Sequence, residues 1–247
     1  MTKHNARKVL EEFLSFPVCS AAPVLRKFAE LDGAVSCIRD GKENFVYVPG
    51  TREDRIVLAA HADAYWDTLY AWDTVQHSVK KTREGYVSGV PDRGFGADDR
   101  AGCAMLWLLR NSGHSLLVLD GEEHGQRGAH AIRESCPALF SEINSHNYII
   151  QLDRRGSSDY KFYYLPVTDE FRDFVRNSTG YSDAGMNSRT DIVVLCDKIC
   201  GVNLSVGYYN EHKPAEKLVF DEWFNTLKIV EKMIKGPQKR FELLNEE

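Results

Sequence analysis

Four short apolar runs set the frame of this chain: residues 56–60 (Ile-Val-Leu-Ala-Ala), 116–119 (Leu-Leu-Val-Leu), 148–152 (Tyr-Ile-Ile-Gln-Leu) and 202–206 (Val-Asn-Leu-Ser-Val). Each is bounded by polar sequence, and each has the length and composition of a strand covered on both faces. Stretches with helical spacing alternate with them. Val9, Leu10, Phe13 and Leu14 make one apolar stripe. Pro23 opens a second helix with Val24, Leu25, Phe28 and Leu31 inward. Further helices are predicted over 99–110, Arg127–Ser135 and 168–177. In a last helix Asp221 is the expected cap. Trp223, Phe224, Leu227, Val230 and Ile234 face inward, and Lys235-Gly236-Pro237 is the stop. Strands near 35–39 and 44–48 read as a hairpin. Strands alternating with helices predict an α/β fold with helices on both faces of a mixed sheet.

Chemically capable residues follow these runs. His61 comes directly after the first, in Ala-His-Ala-Asp (60–63), and Glu122-Glu123 follow the second. Asp153 follows the third, and His212 lies a few residues past the fourth, in Asn-Glu-His-Lys-Pro (210–214). Asp98 and Asp99 sit at the start of the 99–110 helix, where the positive end of the helix dipole favours carboxylates. Open α/β sheets gather their active sites beyond the carboxyl ends of the strands. Taken singly the motifs are weak: an Asp-Asp pair before a helix is an ordinary cap, and Glu-Glu pairs are common on surfaces. Together, two imidazoles (His61, His212) and three carboxylates (Asp98, Glu123, Asp153) can hold two divalent cations. A fourth carboxylate, Glu122, remains as a base.

At these residues the chain resembles the di-zinc exopeptidase clan, which includes peptidase T-like tripeptidases, carboxypeptidase G-like enzymes and leucyl aminopeptidases. The matched order is His-x-Asp, Asp, Glu-Glu, Asp, His over residues 61–212. The resemblance implies a three-layer α/β/α sandwich with a central mixed, mostly parallel sheet. It implies that His61 and Asp153 bind one zinc ion, Glu123 and His212 the second, and Asp98 both. Asp63 would orient His61, Glu122 would act as general base and acid, and the Asp98-Asp99 bond would be cis. Arg189-Thr190-Asp191 and residues 205–209 (Ser-Val-Gly-Tyr-Tyr) look most like the peptidase T branch. Members of that branch carry an inserted lid domain between the last two ligands. Here only 58 residues, 154–211, separate Asp153 from His212, so a single catalytic domain over 1–247 without a lid is expected. Any homo-oligomer would then use surfaces of that domain.

Other features narrow the function classes. A length of 247 residues with 43% apolar and 27% charged content suits one compact domain. The net charge of −5 and the lack of a basic stripe argue against a nucleic-acid partner. No run approaches the roughly 18 apolar residues of a membrane span. The N-terminus lacks the apolar run of a signal peptide, so a cytoplasmic location is expected. The six cysteines are expected to be free thiols, and Cys196-x-x-x-Cys200 has no second pair to make a structural zinc site. Residues 62–95 read as a loop-rich stretch whose Tyr65, Trp66, Tyr70 and Trp72 either wall the substrate pocket or pack at the domain edge. His124 reads as solvent-facing, and the tail from Gln238 as loose or used between subunits. The leading function is a zinc-dependent aminopeptidase or di/tripeptidase acting on small peptides. Hydrolysis of N-acyl amino acids is the enzymatic alternative, and a non-catalytic metal-binding descendant the other. Arg189, Tyr208 and Tyr209 are candidates to contact the substrate.

Overall fold

The computed structural model describes residues 1–39, 42–67 and 77–244. Eight strands form one mixed sheet: β1 (Val35–Arg39), β2 (Lys42–Val48), β3 (Val57–His61), β6 (Ser115–Leu119), β7 (Ile149–Arg154), β8 (Asp159–Lys161), β9 (Ser182–Asp183) and β10 (Gly201–Ser205), in the order β1-β2-β6-β3-β7-β10-β8-β9. β6, β3, β7 and β10 run parallel at its centre. β1, β2 and β8 add antiparallel pairings. Every residue of β3, β6 and β10 is buried, which is why these strands appear in the sequence as continuous apolar runs.

Helices cover both faces. Helix Ala97–Leu109 packs on β3 and β7, and helix Lys3–Ser15 packs on that helix in turn. On the other side, helix Arg127–Ser135 packs against Pro137–Ile143 and Asp191–Leu195. Asp169–Thr179 lies against Phe220–Met233. The result is the three-layer α/β/α sandwich. Within 154–211, strands β8, β9 and β10 belong to the same main sheet.

A second, antiparallel sheet combines β4 (Val79–Lys81), β5 (Gly85–Ser88), β11 (Tyr208–Tyr209) and β12 (Lys217–Val219), in the order β11-β12-β5-β4. The expectation of a loop-rich stretch over 62–95 therefore needs correction, because β4 and β5 lie within it. Tyr70 and Trp72 fall outside the described residues. Trp66 is buried, and Tyr65 is 38% exposed.

Two end assignments also differ. The last helix begins at Phe220, with Val219 rather than Asp221 as its N-cap. Phe220 is buried against Trp223, and the Arg7 guanidinium lies 3.6 Å from its ring centroid. Packing thus starts the helix one residue before the acid. Asp221 and Glu222 occupy its first turn, where they complement the dipole. The tail is not loose as far as Leu244. Phe241 N–H donates to Asn147 O, Cys200 N–H to Phe241 O, and Leu243 N–H to Lys198 O, so it is stitched to the lower ends of β7 and β10.

Candidate metal centre

His61 is the last residue of β3, and Asp153 stands near the carboxyl end of β7, the neighbouring strand. His61 Nε2 lies 3.1 Å from Asp98 Oδ1 and 3.1 Å from Asp153 Oδ1. Asp98 turns its other oxygen, Oδ2, to within 3.2 Å of His212 Nε2, and Glu123 Oε1 lies 2.7 Å from the same nitrogen. The five expected donors therefore converge as two sets that share Asp98. Glu122 lines the same cleft of about 300 Å³.

Each donor has a local cause for its position. Helix Ala97–Leu109 is regular only after Asp99, because Asp98 and Asp99 have non-helical dihedrals and the bond between them is cis. Gly102 allows that helix to press onto β7. A Cβ there would stand 1.9 Å from Leu152 O and 2.5 Å from Asp99 Oδ1. Asp99 accepts the Gly102 N–H at 2.9 Å and the His61 N–H at 3.2 Å, so it faces structure rather than the cleft. Glu216, fully buried, accepts the N–H groups of Phe95 (2.8 Å), Gly96 (3.0 Å) and Asp98 (3.1 Å) and thereby fixes the loop that presents Asp98.

Asp63 faces both the His61 imidazole and the backbone of the Glu122-Glu123 pair. Its Oδ1 lies 3.3 Å from His61 Nδ1, without the alignment of a hydrogen bond. Its two oxygens also accept the N–H groups of Glu122 and Glu123, each at 3.2 Å. Gly121, at φ 78, makes the turn that brings this pair off β6. Asp153 Oδ2 accepts hydrogen bonds from Gln151 Nε2 and the Thr190 hydroxyl, both at 2.9 Å. Tyr208 donates to its Oδ1 at 3.3 Å. Asn203 receives the Asp153 N–H at 3.0 Å. His212 sits at φ 60, 40% exposed at its side chain, and its ring stacks on Tyr65 with centroids 4.5 Å apart.

The electrostatics follow from crowding acids and bases in a buried place. Burial would lower the His212 pKa, but the hydrogen bonds and charges of Asp98 and Glu123 override it and hold the imidazole at about 11. His61 is likewise raised, against its own burial, by Asp153, Asp63 and Asp98. Burial, reinforced by Asp98, lifts Glu123 to about 7. Burial and the Asp153 charge push Glu122 well above the usual carboxylate range. Buried carboxylates and imidazoles in mutual contact form a donor set that suits divalent cations. His61, Asp98 and Glu123 each offer an atom within 4.8 Å of the others'. His61 thus faces Asp98 and Asp153, and His212 faces Asp98 and Glu123, an arrangement whose chemistry is compatible with divalent cations.

The substrate-contact expectations divide. Arg189 lines the cleft, and Tyr208 lines it while touching Asp153. Tyr209 turns away, its hydroxyl donating to Glu222 at 2.5 Å with the Ser157 hydroxyl 3.1 Å from the same oxygen, because β11 alternates its side chains. His124 is not simply solvent-facing, since it pairs with Asp67 at 2.7 Å. The six cysteines are free. Gln151, Asn203, Thr190 and Glu216 were missed as supports of the site. Gln151 and Asn203 did carry a signal, because a polar side chain inside an apolar strand requires a buried partner. Glu216 sits in an ordinary charged stretch and carried none.

No protein-family model matches the sequence, and neither does any curated protein. Solved structures do match in fold. Aminopeptidase PepT from Bacillus cereus ATCC 10987 superposes with a TM-score of 0.69 at 14% identity, covering 95% of this chain and 98% of that one. A tripeptidase from Staphylococcus aureus subsp. aureus Mu50 gives 0.67 at 12%, over 95% and 98%. The TET1 peptidase of Pyrococcus horikoshii, which can assemble into a tetrahedron or a large octahedral shell, gives 0.59 at 13%, over 93% and 99%. No helix among the described residues is long and apolar enough to cross a membrane. The chain has the α/β sandwich fold of these peptidases.

Proposed function

We propose that this chain is a zinc-dependent exopeptidase, an aminopeptidase or di/tripeptidase built as one catalytic unit over residues 1–247. The observation that carries the reading is the division of Asp98. One oxygen faces His61 at 3.1 Å and the other faces His212 at 3.2 Å, so one carboxylate serves two donor sets. His61 and Asp153 would hold one cation, Glu123 and His212 the other, with Asp98 common to both. When bound, the pair supplies Lewis acidity, polarising a substrate carbonyl and lowering the pKa of water toward about 7. Glu122, raised in pKa by burial and by Asp153, takes a proton from the attacking water and returns it to the leaving amine. Asp63 fixes the backbone of Glu122 and Glu123 while facing His61, so base and ligands keep one geometry. A cleft of about 300 Å³ accommodates a short peptide rather than a folded chain. The shell assembly of the Pyrococcus TET1 peptidase motivates self-association through surfaces of this same unit, which light scattering would test.

Glu122→Gln preserves size and removes the base. Two metals per chain should persist by elemental analysis, while hydrolysis of short peptides falls about 100-fold or more. Near-normal turnover in that variant would refute the mechanism. Cleavage of N-acyl amino acids instead of peptides by the unaltered protein would move the substrate class to the amidohydrolases.

A further inference from the structure

The cleft has two characters. Its floor carries the carboxylates of the metal centre. Its wall carries Arg154, Arg155, Lys161 and Arg189. Two of these cations are already neutralised: Arg154 pairs with Asp159 at 2.7 Å, and Arg155 with Glu211 at 2.7 Å. The other two have no carboxylate partner among the described residues. Lys161 is only 6% exposed, yet its ammonium donates to neutral acceptors alone, the Asn187 carbonyl and the Ser188 hydroxyl. Burial, then the charges of Arg154 and Arg155, push its pKa down. Arg189 follows on the same 187–189 segment and is exposed to the cleft. A buried ammonium without a counter-charge is costly, and an arriving anion relieves that cost.

Register places this cation relative to the metal centre. Asn203 pairs with Gln151 of β7 on one side and with Lys161 of β8 on the other. Residues paired across a sheet project from the same face. Gln151 and Asn203 both send their amides to Asp153, so Lys161 continues that row. Two strand spacings amount to about 10 Å. A peptide advances roughly 3.3–3.6 Å per residue, so a carboxylate one or two residues from a carbonyl at the metal centre falls within reach of the Lys161 ammonium.

We propose that Lys161 and Arg189 form an anion-binding subsite that takes a carboxylate of the substrate, one or two residues from the bond being cut. The subsite deepens the peptidase reading, because it makes the substrate a short peptide with a nearby carboxylate. Two sources share that chemistry, a free C-terminus and an acidic side chain.

Three tripeptides separate the sources: trialanine, its C-terminal amide, and the amide carrying Asp at the third position. For each, kcat/KM is measured together with binding by calorimetry on the metal-loaded protein. The unaltered protein should favour trialanine over its amide by about 10-fold or more, the scale of a charged hydrogen bond. Recovery with the Asp-containing amide would assign an acidic side chain as a source and would also support the subsite. Lys161→Met should bring the acid-to-amide ratio close to one, Lys161→Arg should retain most of it, and Arg189→Gln should narrow it. If no peptide is cut but trialanine still binds better than its amide through Lys161, the subsite stands and the peptidase reading falls. Equal binding of all three peptides by the unaltered protein overturns the subsite. So does a preference that survives in a folded Lys161→Met protein. Should Lys161→Met fail to fold, the exposed Arg189→Gln variant decides, and an unchanged ratio there overturns the proposal.

Discussion

The two halves of the candidate metal centre are built differently. The His61 half stands at strand ends, with His61 1% exposed and Asp153 held by Gln151, Thr190 and Tyr208. The His212 half hangs on a loop. Its imidazole is 40% exposed, sits at a positive φ, and leans on Tyr65, itself 38% exposed. Buried ligands held by outer hydrogen bonds are pre-organised, whereas an exposed loop ligand must be ordered when its cation arrives. On this reading the first half binds tightly and the second exchanges.

The sharpest way to break that contrast is Asp98→Ala, because Asp98 belongs to both halves. Both cations should be lost, and the missing electrostatic stabilisation of several kcal/mol should lower turnover about 1,000-fold or more. Retention of one full equivalent of metal would show that the halves do not share it. The next largest effect should separate the halves. His212→Ala should leave one equivalent of zinc and lower the melting temperature of the metal-free protein by less than His61→Ala does, because the imidazole that pairs with Asp98 and Glu123 is 40% exposed. His61→Ala should bind neither cation well and should also melt at a lower temperature, because buried Asp98 and Asp153 lose a partner at about 1–3 kcal/mol. Equal melting of the two variants would erase the distinction. Among the supports, Thr190→Val should weaken the His61-half cation about 10–100-fold. Tyr65→Ala should cost the His212 half only about 0.5–1.5 kcal/mol, the worth of one aromatic pair. Competitive chelator titration measures both.

The smallest effect concerns pH. With His212 at about 11 and Glu123 at about 7, each group is protonated below its own value when no cation is bound. A cation at the exposed half must displace those protons, so its affinity falls as pH falls. From the shifts, one proton should leave on binding at pH 8 and close to two at pH 6. Calorimetry in buffers of different ionisation enthalpy counts them, and proton uptake on binding would contradict the assignment of these two ligands.

The legible parts of this molecule were those where burial is continuous or chemistry is concentrated. β3, β6, β7 and β10 are covered on both faces, so their apolar runs stood out, and the donors at their ends came with them. β4, β11 and β12 did not stand out. They are two or three residues long, and Lys80, Lys81 and Lys217 break any alternation. A small antiparallel sheet of that kind is defined by its partners rather than by its composition. The outer supports of the site divide in the same way. Gln151 and Asn203 contrast with apolar neighbours, whereas Glu216 is surrounded by Lys213 and Lys217 and shows its role only when Phe95, Gly96 and Asp98 are seen around it.

Glu216 also bears on the order in which the protein can become functional during synthesis. The carboxylate that fixes the Asp98 loop is 118 residues downstream of Asp98, 120 from Gly96 and 121 from Phe95. A growing chain that has emerged only to residue 200 already carries His61, Asp98, Glu122, Glu123 and Asp153. It still lacks β10, the last ligand and the group that aims the shared one. Contacts of such sequence separation form late, after their loop-closure entropy has been met. The ribosome therefore releases most of the candidate donor set well before the segment that can arrange it, and a translating chain should pass this interval as a scaffold whose candidate metal centre is incomplete.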